Sequence, residues 1–414
     1  VTIDTEARER ARVSLEPAAR QRRKRIAGLA LVLAAALAWI AVWAGAISAL
    51  YQAVLVMAAV VAAAGGVQLL LGRGTALRIA KGIGFAATTL LIAEGFALAL
   101  HFVGPKAPLI VEYRDGGRTM FRDSVRFGFR ADIDDGAVRA VKRRPDRTVI
   151  YDATYTLRGG FRATGGNPDG PCTVVFMIDS FAFGEGVGDA DTLPQRFSEA
   201  TGGRLNVVNL GFSAYGPQQM LAWLESPQLE RAVRAPLAAA YYVSIDDHVL
   251  RIAGQTPWSR FDPRYALIGG AVTRTGRFHS PPSLASWRQF RLDLSGFLSA
   301  SSFYHELVRP VLPDLADRVP AARALYIEAL SHADAVLRAR YGVPLTILVW
   351  HSEQLTTPAL AELARRGAHI LRFDAMVGPL TPEYTIADDG HPTPLANRRW
   401  AEALARRFPG CPAR

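Results

Sequence analysis

Cysteine is nearly absent: 414 residues contain 2, so at most one intrachain disulfide can form. Charge is missing altogether from Ile26 to Gly72, which rules that stretch out as a solvated surface segment. Acidic side chains are the minority, 37 against 48 Lys and Arg, for a net charge of +11. Much of the excess lies in the amino-terminal tail and one short loop, where anionic lipid head groups are the fitting partner and nothing points to nucleic acid. No internal repeat is present, and no low-complexity tract beyond alanine-rich apolar runs. Metal-ligand spacing is also lacking, because the contiguous Asp246, Asp247 and His248 would point in opposite directions on an extended segment. No metal and no cofactor is implied.

What is present begins with a membrane region. The uncharged stretch splits near Ser48 to Gln52 into two segments, each long enough for about 30 Å of hydrocarbon, and a third runs from Ile83 to Val103 around Glu94. Arg20, Arg22, Arg23, Lys24 and Arg25 precede the first, and Arg73, Arg78 and Lys81 separate the second from the third, while the connection near Ala49 has no charge. Basic flanks stay in the cytoplasm, so the expectation is a multi-pass inner-membrane protein with a cytoplasmic amino terminus and everything after Gly104 outside. These are expected to be uncleaved anchors, since the first apolar stretch is long for a signal peptide and runs almost directly into another. A carboxylate at mid-membrane is costly, and a structural or partner-facing role suits Glu94. The expected organisation is a basic tail over 1–25, three transmembrane helices over 26–103, a β-rich linker over 104–170, and a main domain over 171–414 with an insertion around 251–303. Cys172 and Cys411, near the start and the end of that domain, could pair or stay as two thiols.

Residues 104–170 alternate short β-type runs, at Leu109–Tyr113, Ser124–Phe129 and Thr148–Leu157, with Asp-Gly and Gly-Gly turns. Past the loop Gly165–Pro171 the pattern changes. Apolar runs at Val174–Ile178, Leu205–Leu210, Ala239–Ser244, Leu345–Trp350 and His369–Phe373 alternate with helical patterns at Leu193–Thr201, Pro217–Leu224, Ala321–Tyr341 and Pro358–Arg366. Such alternation predicts an α/β fold, a mostly parallel sheet covered on both faces, with ligands beyond the carboxyl ends of the strands.

Three segments stand at such ends. The first strand stops at Asp179-Ser180, with Phe181-Ala182-Phe183-Gly184-Glu185-Gly186 following; the second runs through Asn209-Leu210-Gly211-Phe212-Ser213-Ala214-Tyr215-Gly216; the last is Asp388-Asp389-Gly390-His391-Pro392 before a helix. A serine hydroxyl needs a base within hydrogen-bond reach, and the base needs a third group to fix its tautomer. Ser180, His391 and an aspartate supply those types. The last segment also reads as a plain helix entrance, Thr393 capping and Pro394 in the first turn, and the two roles are compatible.

Together and in this order the three segments resemble the SGNH/GDSL hydrolases, in particular a bacterial membrane-anchored branch with Asp-Ser-Phe-x-Phe-Gly-Glu-Gly first and Asp-Gly-His-Pro last. The resemblance covers residues 170–408 and implies a three-layer α/β/α domain in which Ser180 is the nucleophile and His391 the base. Asp389 is preferred as the orienting acid over Asp388. Oxyanion donors would be the amides of Ser180 and Ala214, the latter where the family has glycine. The family's third donor is an asparagine side chain, and the matching strand end reads Ser244-Ile245-Asp246-Asp247-His248, so a group among Asp246, Asp247 and His248 would have to serve. Ile178 stands where a glycine usually precedes Asp179. His351 and Glu353 could line the pocket, whereas His279, His305 and His332 read as surface or satisfied histidines.

The implied function is a membrane-anchored serine esterase or acyl hydrolase acting on an acyl-ester substrate of the cell envelope, a carbohydrate or lipid. One rival keeps the triad and makes a sugar hydroxyl the acceptor, an O-acetyltransferase of an exported polysaccharide that would need a membrane partner. Another is a non-catalytic envelope binding or assembly module on a hydrolase fold.

Overall fold

The structure is a computed structural model and describes residues 21–37, 49–70, 75–103, 110–114, 120–256, 259, 262–278, 319–351 and 353–412. The chain divides into two compact units, 1–107 with 281–315, and 108–280 with 316–414.

In the first unit residues 21–37, Ala49–Leu70 and Thr75–Val103 are helical. Two helices approach closely because Gly66 has no side chain: a Cβ there would fall 2.6 Å from the carbonyl oxygen of Gly28. Glu94 is buried. Among the described residues one helical stretch, Arg78–Ala97, is long and apolar enough to cross a membrane, and Ala58–Gln68 is a shorter apolar one. Three transmembrane helices are therefore not supported among the described residues.

The second unit is built on one sheet. Its amino-terminal half contains β1 (Ile110–Arg114), β2 (Phe121–Ser124), β3 (Gly128–Ala131), β4 (Gly136–Arg143), β5 (Val149–Arg158) and β6 (Phe161–Arg162). Then come β7 (Thr173–Met177), β8 (Asn206–Leu210), β9 (Leu237–Ser244), β10 (Pro263–Ile268), β11 (Ala271–Arg277), β12 (Leu345–Val349) and β13 (His369–Arg372). Nine strands join in the order β1-β4-β5-β6-β8-β7-β9-β12-β13, while β2-β3 and β10-β11 are separate two-stranded ribbons. The five strands from β8 to β13 are mutually parallel; β1, β4, β5 and β6 add an antiparallel flank. The β-rich segment and the α/β part therefore share a single sheet.

The expected Ser124–Phe129 strand is instead a turn between β2 and β3, where the Phe127 amide bonds the Ser124 hydroxyl at 3.2 Å. Of the expected insertion, residues 263–277 form the β10-β11 hairpin, and 279–318, with His279 and His305, lie outside the described residues.

Burial explains why the central strands read as continuous apolar runs. Every residue of β7 is buried, Val174 and Phe176 in one apolar cluster, Val175 and Met177 in the other. Successive side chains face opposite sides, and both sides are covered. Helices Leu193–Ala200 and Pro394–Ala405 pack together on one face; Pro217–Leu224, Val319–Tyr341 and Thr356–Arg365 lie on the other.

The chain leaves β7 for β8 on one side and then crosses to β9 on the other. Strand order thus reverses at β7, and in parallel sheets the crevice beyond such a reversal is where ligands bind. Ser180 follows β7 by three residues.

Candidate active site

The turn out of β7 is backbone-strained. Ile178 has φ 73° and ψ 156°, a region nearly reserved for glycine, and Asp179 follows at φ 56°. Residues so held cost about 1–3 kcal/mol each and persist only where the surroundings over-determine them. Here they do: Ile178 is fully buried, and one Asp179 oxygen accepts the amides of Phe181 at 2.9 Å and Ala182 at 3.1 Å, capping the short helix Asp179–Phe183. Ile178 therefore holds a strained backbone that its burial offsets.

That helix presents Ser180 to the histidine loop. The Ser180 hydroxyl lies 2.7 Å from His391 Nε2, and His391 Nδ1 hydrogen-bonds Asp389 Oδ1, which also accepts the His391 amide at 3.1 Å. The His391 ring packs on Phe181, ring centroids 5.0 Å apart. Thr393 caps helix Pro394–Ala405 through the Ala396 amide, so the helix entrance and the histidine loop are the same structure. Asp388 turns outward, φ 61°, and pairs with Arg144 on the surface. Of the two candidate acids the structure brings Asp389 to His391.

The electrostatics follow from burial and partners. Burial pushes the Asp389 carboxyl up, but the His391 and Lys142 bonds and charges outweigh it and hold it at about 2. Burial pushes His391 down, and the Asp389 bond with the nearby Glu185 and Asp389 charges more than reverses this, leaving its pKa above the usual 6.5. The Asp389 side chain is 0% exposed, and Lys142 Nζ reaches its second oxygen at 2.5 Å.

The second segment is fastened beside the nucleophile helix. Asn209 donates from Nδ2 to the Ala182 carbonyl at 2.8 Å and accepts the Gly211 amide at 2.9 Å. A Cβ on Gly211 would fall 2.4 Å from Phe183 N, so only glycine allows this approach. Ala214 takes the left-handed conformation, φ 64°, and the buried Arg251 guanidinium holds the adjoining Tyr215 carbonyl at 2.7 Å. Ser213 donates to Glu185 at 2.6 Å, and Tyr151 does so at 3.3 Å. Arg162 is enclosed between Tyr155 and Phe183 and binds Asp189 at 2.8 Å and the Val187 carbonyl at 2.9 Å, fixing the loop that carries Glu185.

The strand end after β9 is employed elsewhere. Asp246 caps helix Thr356–Arg365, accepting the Thr356 amide and hydroxyl, each at 2.8 Å. Asp247 is exposed and lies 3.6 Å from Arg251. His248 is fully buried, Nδ1 against the Tyr242 hydroxyl at 2.7 Å and Nε2 3.3 Å from Asp179, too far off-angle for a hydrogen bond. Burial lowers its pKa, with Asp179 opposing. Of the three candidates for the oxyanion hole, Asp246 is thus taken up by a helix cap, Asp247 lies beside Arg251, and His248 bonds Tyr242. His351 and Glu353 pair with each other on the surface at 3.1 Å and His332 is exposed, so none joins the Ser180 cluster. Among the described residues no group of His, Cys, Asp and Glu could hold a metal ion.

Sequence reasoning missed Lys142, Arg162 and the role of Glu185. Glu185 stood within a quoted motif; Lys142, 247 positions from Asp389, carried no local signal.

No family model matches the chain, and no curated protein matches it. Among solved structures it is similar to a protein of Desulfitobacterium hafniense DCB-2 described as lipolytic and of the G-D-S-L family. The identity is 8% and the TM-score 0.32, over 56% of this chain and 98% of the other, a likeness too slight to bear on function.

Proposed function

We propose that the protein is a serine esterase or acyl hydrolase with a Ser180-His391-Asp389 triad on an SGNH-type domain. The observation that carries this reading is the 2.7 Å contact between Ser180 Oγ and His391 Nε2, continued through Nδ1 to the buried Asp389. His391 takes the Ser180 proton as the hydroxyl attacks an ester carbonyl, and returns it to the leaving alcohol. Asp389 stays ionised and fixes the tautomer that leaves Nε2 free to accept. The amides of Ser180 and Ala214 serve the oxyanion. Asp246 brings no repulsion to that site, since its carboxylate is taken up by the Thr356 cap. A water then releases the acyl group by the same proton route.

The Cys172–Cys411 disulfide, Cα atoms 5.5 Å apart, supports an oxidising compartment and hence an extracytoplasmic domain on a membrane anchor. An acylated envelope carbohydrate or lipid is the fitting substrate there. The test is covalent labelling of the full chain in detergent by a fluorophosphonate, alongside hydrolysis of p-nitrophenyl acetate. Wild type is expected to label and turn over, and Ser180→Ala to do neither. Equal labelling of both, or of neither, would return the chain to a non-catalytic binding role, and acetate appearing on added glycan instead of in solution would make it a transferase.

A further inference from the structure

Asp389 is held from two sides. One oxygen faces His391; the other faces the ammonium of Lys142, a residue of β4 in the antiparallel flank. β4 enters the sheet between β1 and β5, outside the parallel strands that carry Ser180. Its register against β5 shifts between Lys142 and Arg143, and such irregularities re-aim side chains next to functional sites. Two residues on, just past the end of β4, Arg144 binds Asp388 at 2.7 Å, so two cations at one strand end grip adjacent acids of the histidine loop. The two pairs differ in burial. Arg144 and Asp388 are 37% and 55% exposed, where an ion pair contributes little; Lys142 and Asp389 are 14% and 0% exposed. A carboxylate buried that fully needs a donor on each oxygen, and Lys142 is the one that His391 cannot supply.

We propose that Lys142 is a positioning residue, its ammonium holding Asp389 in the orientation that fixes His391 for proton transfer with Ser180. This rests on the hydrolase reading above. Lys142 touches no reacting atom and acts through Asp389. The groups facing His391 are Asp389 from its own loop, Glu185 from the loop after the nucleophile helix, and Ser180; Tyr113 of β1 and Tyr151 of β5 face Asp389 and Glu185 and are kept neutral by burial and those charges. Lys142 is the cation of this group and opposes protonation of His391. Its removal leaves the imidazole with negative neighbours alone.

The sign follows. Activity needs neutral His391, so it falls as pH drops through the His391 pKa. Without Lys142 that pKa rises, and the acid limb moves to higher pH. In the full chain, Lys142→Met is expected to shift the acid limb of kcat/KM for p-nitrophenyl acetate up by about 0.5–1 pH unit. It should also lower the plateau by about 10- to 100-fold through misplacement of the imidazole. Lys142→Arg should return the limb to its wild-type position. A wild-type plateau in a folded Lys142→Met protein, or a lowered plateau that Lys142→Arg does not restore, overturns the proposal; if the Met variant does not fold, Lys142→Gln against Lys142→Arg gives the same comparison. Activity remaining in Ser180→Ala would instead overturn the hydrolase reading, so the two failures are separable.

Discussion

Adjacent aspartates illustrate how much one residue step decides. Asp388 and Asp389 are chemically equal in the sequence, yet Asp388 takes a left-handed backbone and points at Arg144, while Asp389 is enclosed against His391 and Lys142. Asp389→Asn should lower kcat by about 10³- to 10⁴-fold, because an amide offers His391 the wrong tautomer partner. Asp388→Asn removes an exposed ion pair and should change kcat by less than about threefold. Steady-state hydrolysis of p-nitrophenyl acetate by both variants checks this, and equal losses would refute the assignment. The types and order of Ser180, His391 and the acid pair were legible in the sequence. Which acid faces His391 was not, because it turns on the backbone of one loop residue and on partners, Lys142 and Arg144, more than 240 positions away.

At the scale of elements, the strand-to-loop turns carry the site. The apolar runs ending at Ser180, at Gly211 and at His351 were visible as strands because both faces of the sheet are covered and period-2 alternation gives way to continuous hydrophobicity. Less visible was how closely two turns approach. Gly211 lies against the backbone of Ala182 and Phe183, and a methyl group there must push them apart. Gly211→Ala is expected to destabilise the protein by about 1–3 kcal/mol through overpacking. The same displacement should cost roughly 10²-fold in kcat, by moving the Ala214 loop away from Ser180. Urea unfolding and hydrolysis rates test it; wild-type values for both would mean that the loop and helix are not in this contact. The failure of the Ser124–Phe129 strand has a related cause. Its alternating residues meet the ribbon period, but the Ser124 hydroxyl captures the Phe127 amide and closes a turn.

For the whole molecule, the disulfide joins the residue before β7 to the segment after helix Pro394–Ala405, across 239 positions. Cross-linking so long a segment restricts the unfolded chain, and its loss should cost about 2–5 kcal/mol. Cys172 immediately precedes the strand whose far end leads to Ser180, so the Ser180 cluster is not disturbed directly. A Cys172→Ala/Cys411→Ala variant should therefore unfold at lower urea while keeping its hydrolysis rate near wild type in dilute denaturant. An unchanged midpoint, with and without reductant, would show that the cysteines are not paired. The antiparallel flank matters at this scale too, since β4 supplies the cation that the parallel strands lack.

By itself the sequence determined the α/β alternation, the positions of the five parallel strands, and the three segments whose residue types suit nucleophilic chemistry. Each is a local property, set by apolar periodicity, turn residues and the protonation chemistry of side chains close along the chain. Tertiary structure decided that Asp389 and not Asp388 faces His391, that Asp246 and His248 are occupied elsewhere, and that Lys142 of a distant strand completes the carboxylate's shell. The Lys142, Arg144 and Asp246 contacts join residues 110 to 247 positions apart, and no periodicity within the chain records them.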